Sequence, residues 1–294
     1  MDSAHRRSVG HMELPVRQPL HASPAGGKRV GARFAAASSS ADLKSAPEAK
    51  CLAPDFGVAS IPNPISMFRP DELFDLSQTE HAALFEGCEF AWDALKRLAD
   101  YLAAQVRPGL HNRCEGVAWI GERVFIGEGT VVEDGAMIKG PAIIGGNCQI
   151  RHNAYIRENV IVGDNCVVGN SCEVKHAVLF NQVQVPHFNY VGDSILGWRA
   201  HLGAGVKVSN VKLVPGNVEV RWAEERLDTG LRKFGALVGD ETEVGCNAVL
   251  NPGSILGRRS LIYPNVCWRG VLAPGQIARN VALVEVVARQ SSTR

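Results

Sequence analysis

Aliphatic or aromatic side chains recur at every sixth position from Ile120 to Phe180, through Ile126, Val132, Ile138, Ile144, Ile150, Ile156, Val162, Val168 and Val174. Two places before each stands a small or β-branched residue, among them Ala118, Thr130, Ala136, Cys148, Cys166 and Cys172. A helical face repeats at 3.6 residues and a half-buried strand at 2, so neither accounts for a sustained six. The period predicts an all-β chain coiled as a parallel β-helix, in which each hexapeptide supplies one wall of a triangular prism and about eighteen residues complete a rung. Gly-Glu, Gly-Asn and Gly-Asp pairs beginning at Gly127, Gly146 and Gly163 fall where the bends need positive φ.

The pattern fails between Phe180 and Leu202, where the inward positions read as Pro186, Val191 and Leu196, two of the steps being five. It resumes at Leu202 and Val208, and again from Val238 through Val244, Leu250, Leu256, Ile262 and Trp268. About seven rungs result, in two blocks within residues 116–275, followed by a tail over 276–294. The intervening excursion, 211–234, reads as a hairpin built on Val218-Glu219-Val220-Arg221-Trp222.

Upstream, residues 68–109 predict a short α-helical N-terminal cap. Ser77 and Glu80 have capping-box spacing, and Phe90, Ala94, Leu95, Leu98, Tyr101 and Leu102 share a helical face that Pro108 and Gly109 end. The expected role is to cover the open end of the coil, whose strand edges otherwise invite aggregation. Residues 1–60 are rich in Ala, Ser, Arg, Pro and Gly with few acids; they read as disordered, as a mis-assigned start, or as a transit peptide.

Composition narrows the function class. A net charge of +1 over 294 residues argues against charge-driven nucleic-acid binding, and no apolar run approaches the roughly 20 residues of a membrane span. Of eight cysteines, Cys148, Cys166 and Cys172 occupy the small inward slot as buried hydrophobes, and none forms a Cys-x-x-Cys metal site. A reducing, cytoplasmic setting follows.

Candidate chemistry gathers at the break. Arg157 and Lys175 are one rung apart, which stacks two cations about 4.8 Å from each other and favours an anion, such as phosphate, between them. His187, at the break beside Tyr190 and Asp193, is the candidate general base, imidazole being the side chain most often used to move a proton in catalysis. His176, His187 and His201 are spaced too irregularly to share a metal, so no metal is expected.

The run His187-Phe188-Asn189-Tyr190-Val191-Gly192-Asp193, with Leu202-Gly203-Ala204-Gly205 and Asn210, resembles the left-handed β-helix acetyltransferase domain of the glucosamine-1-phosphate N-acetyltransferase / N-acetylglucosamine-1-phosphate uridyltransferase family, and Asp228-Thr229-Gly230-Leu231-Arg232-Lys233-Phe234-Gly235 resembles a segment in the β-helix tails of related sugar-nucleotidyltransferase-like proteins. The resemblance implies an acetyl-CoA-dependent N-acetyltransferase acting on an amino-sugar phosphate, working as a homotrimer with clefts between neighbours. It implies His187 as the base and sugar-phosphate contacts at Arg157, Lys175, Tyr190 and Lys233. It also implies coenzyme contacts at Asn210, Ala204 and Cys246. Two positions depart from the family: His201, counted among the substrate contacts, replaces an asparagine, and Val211 replaces a tyrosine. Residues 1–115 carry no Gly-rich nucleotide loop, so uridyl transfer is not expected. The alternative is a non-catalytic trimeric β-helix that binds a sugar phosphate or sugar nucleotide as a scaffold or sensor.

Overall fold

The computed structural model describes residues 66–222 and 225–281. The reading of residues 1–60 and most of the 276–294 tail lie outside them.

The six-residue period becomes a parallel β-helix with three walls. The first wall stacks Ile120, Ile138, Ile156, Val174, Val191, Val208, Leu250 and Trp268 in register. The second stacks Ile126, Ile144, Val162, Leu179, Leu196, Val238, Leu256 and Leu272. The third is a nine-stranded sheet that begins at Arg113–Glu115 and ends at Ile277–Ala278. The coil therefore completes about nine turns, more than the seven the hexapeptides predict. Its first turn, from Gly109, and its last, through Ala278, fall outside the predicted 116–275, because their inward residues depart from the regular spacing.

The register corrects where the period breaks. Ile144 pairs with Val162 eighteen residues on, but Val162 pairs with Leu179, seventeen on. The residue is lost at the corner between the first and second walls: Ile156 pairs with Val174, yet Val160 already pairs with Ala177. That corner keeps only Lys175 and His176, and only Gly192 and Asp193 in the next rung. His176 and Asp193 turn it with φ of 46° and 49°. Leu179 and Val185, not Phe180 and Pro186, are thus the inward residues. Shortening at this corner lets Glu173–Leu179 and Tyr190–Leu196 run through it as seven-residue strands, merging the first two walls into one fifteen-stranded sheet.

Phe180, freed from the core, points to the N-terminal segment. Phe74 and Phe85 pack on its ring at centroid distances of 5.1 and 5.6 Å. The segment comprises α1 (Pro70–Leu73), short 3₁₀ turns and α2 (Asp93–Gln105). Asp75, not a Ser77–Glu80 box, caps the turn at Leu76–Gln78 by accepting the Ser77 N–H at 3.0 Å. Ala94, Leu95, Leu98 and Leu102 form the buried face of α2, as their spacing requires.

This segment lies along the flank of the coil rather than over its end. His176 Nε2 bonds Leu95 O at 3.0 Å, Trp92 packs 6.2 Å from Phe234, and Asp75 N–H donates to Asp240 at 2.6 Å. It covers the outer face of the second wall, where Ile161, Val178, Ile195, Leu237 and Ile255 are fully buried. Strands there are apolar on both faces (Val160–Val162, Ala236–Val238), as expected of a parallel sheet sandwiched between layers. Each such aliphatic withdrawn from water contributes roughly 1.5–3 kcal/mol.

The 211–234 excursion does contain an antiparallel hairpin, Glu219–Trp222 with Glu225–Asp228. It leaves the first wall after Val208, buries Val218 and Val220, and folds back beside Gly253 and Gly270 of later rungs.

Candidate functional site

The predicted site residues fall into two groups, on the two corners that flank the first wall. The first group occupies the shortened corner. Arg157 and Lys175 stack there on adjacent rungs, as their spacing predicts. They are not, however, two bare cations awaiting an anion. Arg157 Nη1 donates to Glu173 Oε1 at 2.8 Å and its Nε lies 3.6 Å from Glu158; Lys175 Nζ lies 3.6 Å from the buried Asp193. Lys139, 3.7 Å from Glu158, completes a cluster of three cations and three carboxylates. Arg157 Nε nevertheless has no hydrogen-bond partner, although it is buried.

Tyr190 and Asn210 close this group. Asn210 donates one amide hydrogen to Asp193 Oδ2 and lies 3.2 Å from the Tyr190 hydroxyl. Burial, the largest cause, pushes the Tyr190 phenol up. Gly192 is required here: a Cβ would stand 2.6 Å from the Tyr190 hydroxyl and 2.7 Å from the Asn210 amide. Lys233 arrives from the far side of the excursion, bridged through its backbone to Val211, while Phe234 N–H donates to Asn210 O. Tyr155, one rung before Glu173 and two before Tyr190 on the outer face of the first wall, lies under Lys139 and Arg157 at 5.5 and 5.9 Å. Sequence reasoning missed Tyr155 and the carboxylates Glu158 and Glu173. The signal was available, since Tyr155 and Tyr190 hold equivalent slots before the inward Ile156 and Val191.

The second group occupies the corner between the third and first walls. His187 ends Gln184–His187 in register with Asn170, and its rung takes a regular six-residue step from Val185 to Val191. It does not sit at the period break, nor does any hydrogen bond among the described residues join it to Tyr190 or Asp193. What holds it is Asn189, buried in the small inward slot, which accepts the His187 N–H at 3.1 Å and donates to Gly203 O at 2.7 Å. The imidazole projects outward beside Phe188, itself 61% exposed.

Ala204 and Cys246 follow on the next two rungs of the same corner. Gly205 N–H donates to His187 O and Asn247 N–H to Ala204 O, at 2.9 and 2.8 Å. Among the described residues the Ala204 N–H donates to nothing, which leaves it free to hold a developing oxyanion. His201 stands on the third wall, with Nδ1 2.7 Å from Glu243, and shares with Cys246, Tyr263 and Pro264 a shallow depression of about 460 Å³. Asn210, a candidate coenzyme contact, lies beside Tyr190, and His201, a candidate sugar contact, lies in one depression with Cys246.

His176, next to Lys175 at the shortened corner, turns its ring to Leu95 O under α2, and no group of three His, Cys, Asp or Glu among the described residues is placed to hold a metal. The seven described cysteines are free thiols; burial pushes Cys166 and Cys172 up, as for inert core residues. No described helix is long and apolar enough to cross a membrane.

Residues 138–225 match the GMPPB C-terminal domain. A bifunctional sugar-1-phosphate nucleotidylyltransferase/acetyltransferase from Sulfurisphaera tokodaii is 35% identical over 92 residues, 31% of this chain and 23% of that protein. The bifunctional protein GlmU of Methanococcus aeolicus is 35% identical over 93 residues, 32% of this chain and 22% of that protein. The match thus spans less than a quarter of either relative. Among solved structures, LpxA from Acinetobacter baumannii is 16% identical with a TM-score of 0.30, covering 56% of this chain and 66% of that one. The resemblance that the His187–Asp193 run carries therefore holds: the run lies within the residues that match the GMPPB C-terminal domain, and about a third of the chain is similar to part of bifunctional sugar-1-phosphate nucleotidylyltransferase/acetyltransferases.

Proposed function

We propose that the chain is an acetyl-CoA-dependent N-acetyltransferase whose acceptor is an amino sugar bearing phosphate, with His187 as general base. The observation that carries this reading is the third–first corner, where an outward imidazole, a free backbone N–H at Ala204 and Cys246 follow one another on successive rungs. His187 takes a proton from the acceptor ammonium, and the freed amine attacks the thioester carbon. The C–N bond forms as the carbonyl becomes an oxyanion, and its collapse breaks the C–S bond; of the two protons the nitrogen sheds, one goes to solvent and the other, through His187, to the departing coenzyme sulfur. The Ala204 N–H holds the carbonyl oxygen while it is negative. Tyr190, Asn210 and Asp193 supply the hydroxyl, amide and carboxylate that grip sugar hydroxyls.

His187 and the Tyr190 cluster lie on opposite edges of one wall. A homotrimer that sets the His187 corner of one copy against the first wall of its neighbour unites them in a shared cleft. Two tests address this reading. Thiol release from acetyl-CoA with glucosamine-1-phosphate should fall 10²–10⁴-fold in His187→Ala. Mixing inactive His187→Ala and Lys175→Ala chains should restore part of the activity, because one mixed cleft keeps both residues; no recovery would show that the site is not shared.

One observation favours a second reading, a non-catalytic sugar-phosphate or sugar-nucleotide sensor: Arg157 and Lys175 are already neutralised by Glu173 and Asp193. Under that reading His187→Ala leaves ligand binding unchanged and no acceptor supports thiol release.

A further inference from the structure

Three further cations, away from Arg157 and Lys175, gather on one face, and among the described residues two of them, Lys212 and Arg269, form no ion pair. They line a groove of about 580 Å³ between the start of the 211–234 excursion and the rungs it leaves. Lys212, Arg221 and Arg269 converge there, facing Val211, Leu213 and Val214. Glu219, 3.9 Å from Arg221, is the one carboxylate within ion-pair distance of the three among the described residues. Asp228, on the second strand of the hairpin, turns its carboxylate to Gly230 N–H and Asn217. Among the described residues the three cations and Glu219 leave the groove an excess of two positive charges, with Asp228 near enough that Lys212, after the Gly230 N–H and Asn217, helps hold its carboxylate below the usual range.

The groove is also built, not incidental. Gly253, at φ +81°, has no room for a Cβ: Val218 Cγ1 would stand 2.9 Å away and Glu219 O 3.1 Å away, so the hairpin is seated directly on the rung. Arg269 extends from the turn after Trp268, whose indole N–H donates to Gly270 O and fixes that turn. Three apolar side chains that would ordinarily be buried stand open beside the cations: Val211 is 43% exposed, Val214 71% and Leu213 fully. Ser209 and Val211, which line the groove, flank Asn210 in sequence, so the groove opens beside the Tyr190–Asn210–Asp193 cluster.

We propose that this groove binds a diphosphate carrying an apolar or aromatic substituent, the nucleoside diphosphate end of a sugar nucleotide. The two unpaired charges match a diphosphate, Arg221 and Arg269 offer the fork that phosphate oxygens accept, and the Val211–Val214 side chains give a base an apolar surface. The volume lies within the range of sites that enclose a small ligand. The assignment deepens the acceptor reading above by making the acceptor a nucleotide-linked amino sugar, and in that respect it rests on that reading; binding itself does not.

The experiment is calorimetric titration of the full chain with UDP, GDP and inorganic pyrophosphate, without acetyl-CoA. At least one nucleoside diphosphate is expected to bind more tightly than pyrophosphate, with affinity falling as salt rises. Arg269→Ala and Lys212→Ala should each weaken it about tenfold or more, while Arg199→Ala, a cation stacked on Trp198 at another corner, should not. All three positions are on the surface, and an unchanged melting temperature confirms folding. Absence of binding at millimolar ligand, or binding indifferent to Arg269 and Lys212, overturns the site; equal binding of pyrophosphate and nucleotide overturns the nucleotide class. Because turnover is not read, loss of the acetyltransferase reading would leave these outcomes intact.

Discussion

The second and third walls are cut from the same hexapeptide, yet one is sealed and the other bare. Over five successive rungs of the second wall the residue before the inward position is Ile161, Val178, Ile195, Leu237 or Ile255, all buried where α1, α2 and the turns between them cover the coil. On the third wall the equivalent residues include Gln149, Gln184, His201 and Glu243, and the wall carries no layer from its own chain among the described residues. The inward half of the repeat sets the coil, whereas the outward half sets what each wall meets. A covering layer is therefore written into alternate positions of the strands it covers.

The contrast predicts its largest effect at Phe180. Phe180→Ala removes the ring on which Phe74 and Phe85 pack and should cost about 3–5 kcal/mol in denaturant unfolding. A loss under about 1 kcal/mol would mean that the helical layer adds little to the fold.

Acid should act on the same contact. His176, bonded to Leu95 O, and His81, 3.1 Å from the Tyr101 hydroxyl, are both held below the ordinary imidazole range, chiefly by burial. Asp193 opposes this for His176 and Asp164 for His81, while Lys175 reinforces it for His176. Below 6.5 the unfolded chain binds these protons more readily than the folded one. The stability they contribute is thus complete above 6.5 and is lost as the pH falls below it. Amide exchange over Asp93–Gln105 should quicken between pH 7.5 and 5.5 relative to the third wall; equal change in both would reject the histidines as its cause.

A smaller effect on the monomer is expected from Leu261→Glu on the bare wall, which should leave unfolding within about 1 kcal/mol and, if the proposed trimer packs through this wall, shift the mass seen by light scattering from trimer toward monomer. A native protein already monomeric would remove the shared cleft. Smallest of all, Gln184→Ala should change stability by no more than about 0.5 kcal/mol, as for an exposed site without special contacts.

Much of this was legible in the sequence. The period of six gave the coil, and the helical face of Ala94, Leu95, Leu98 and Leu102 gave α2. The missing residue was not legible where it occurs. Phe180 continues the count of six as well as Leu179 ends a five, and both are apolar, so only the hydrogen-bond register separates them. The sealed wall was legible but unread, in triplets such as Val160-Ile161-Val162 that break the alternation. Spacing placed Arg157 over Lys175 correctly. It could not reveal that Glu173 and Asp193 answer them, because that depends on how side chains turn across a corner.

Sealing one wall also limits how copies can combine. A bare triangular prism offers three equivalent flanks and could tile a plane, each copy joining three others. With one flank closed by its own chain, this coil has a lateral valence of two. Head-to-tail contacts through the two remaining flanks would turn through the same angle each time, so sideways growth would run as a closed ring or an open helical filament and would not spread into a sheet.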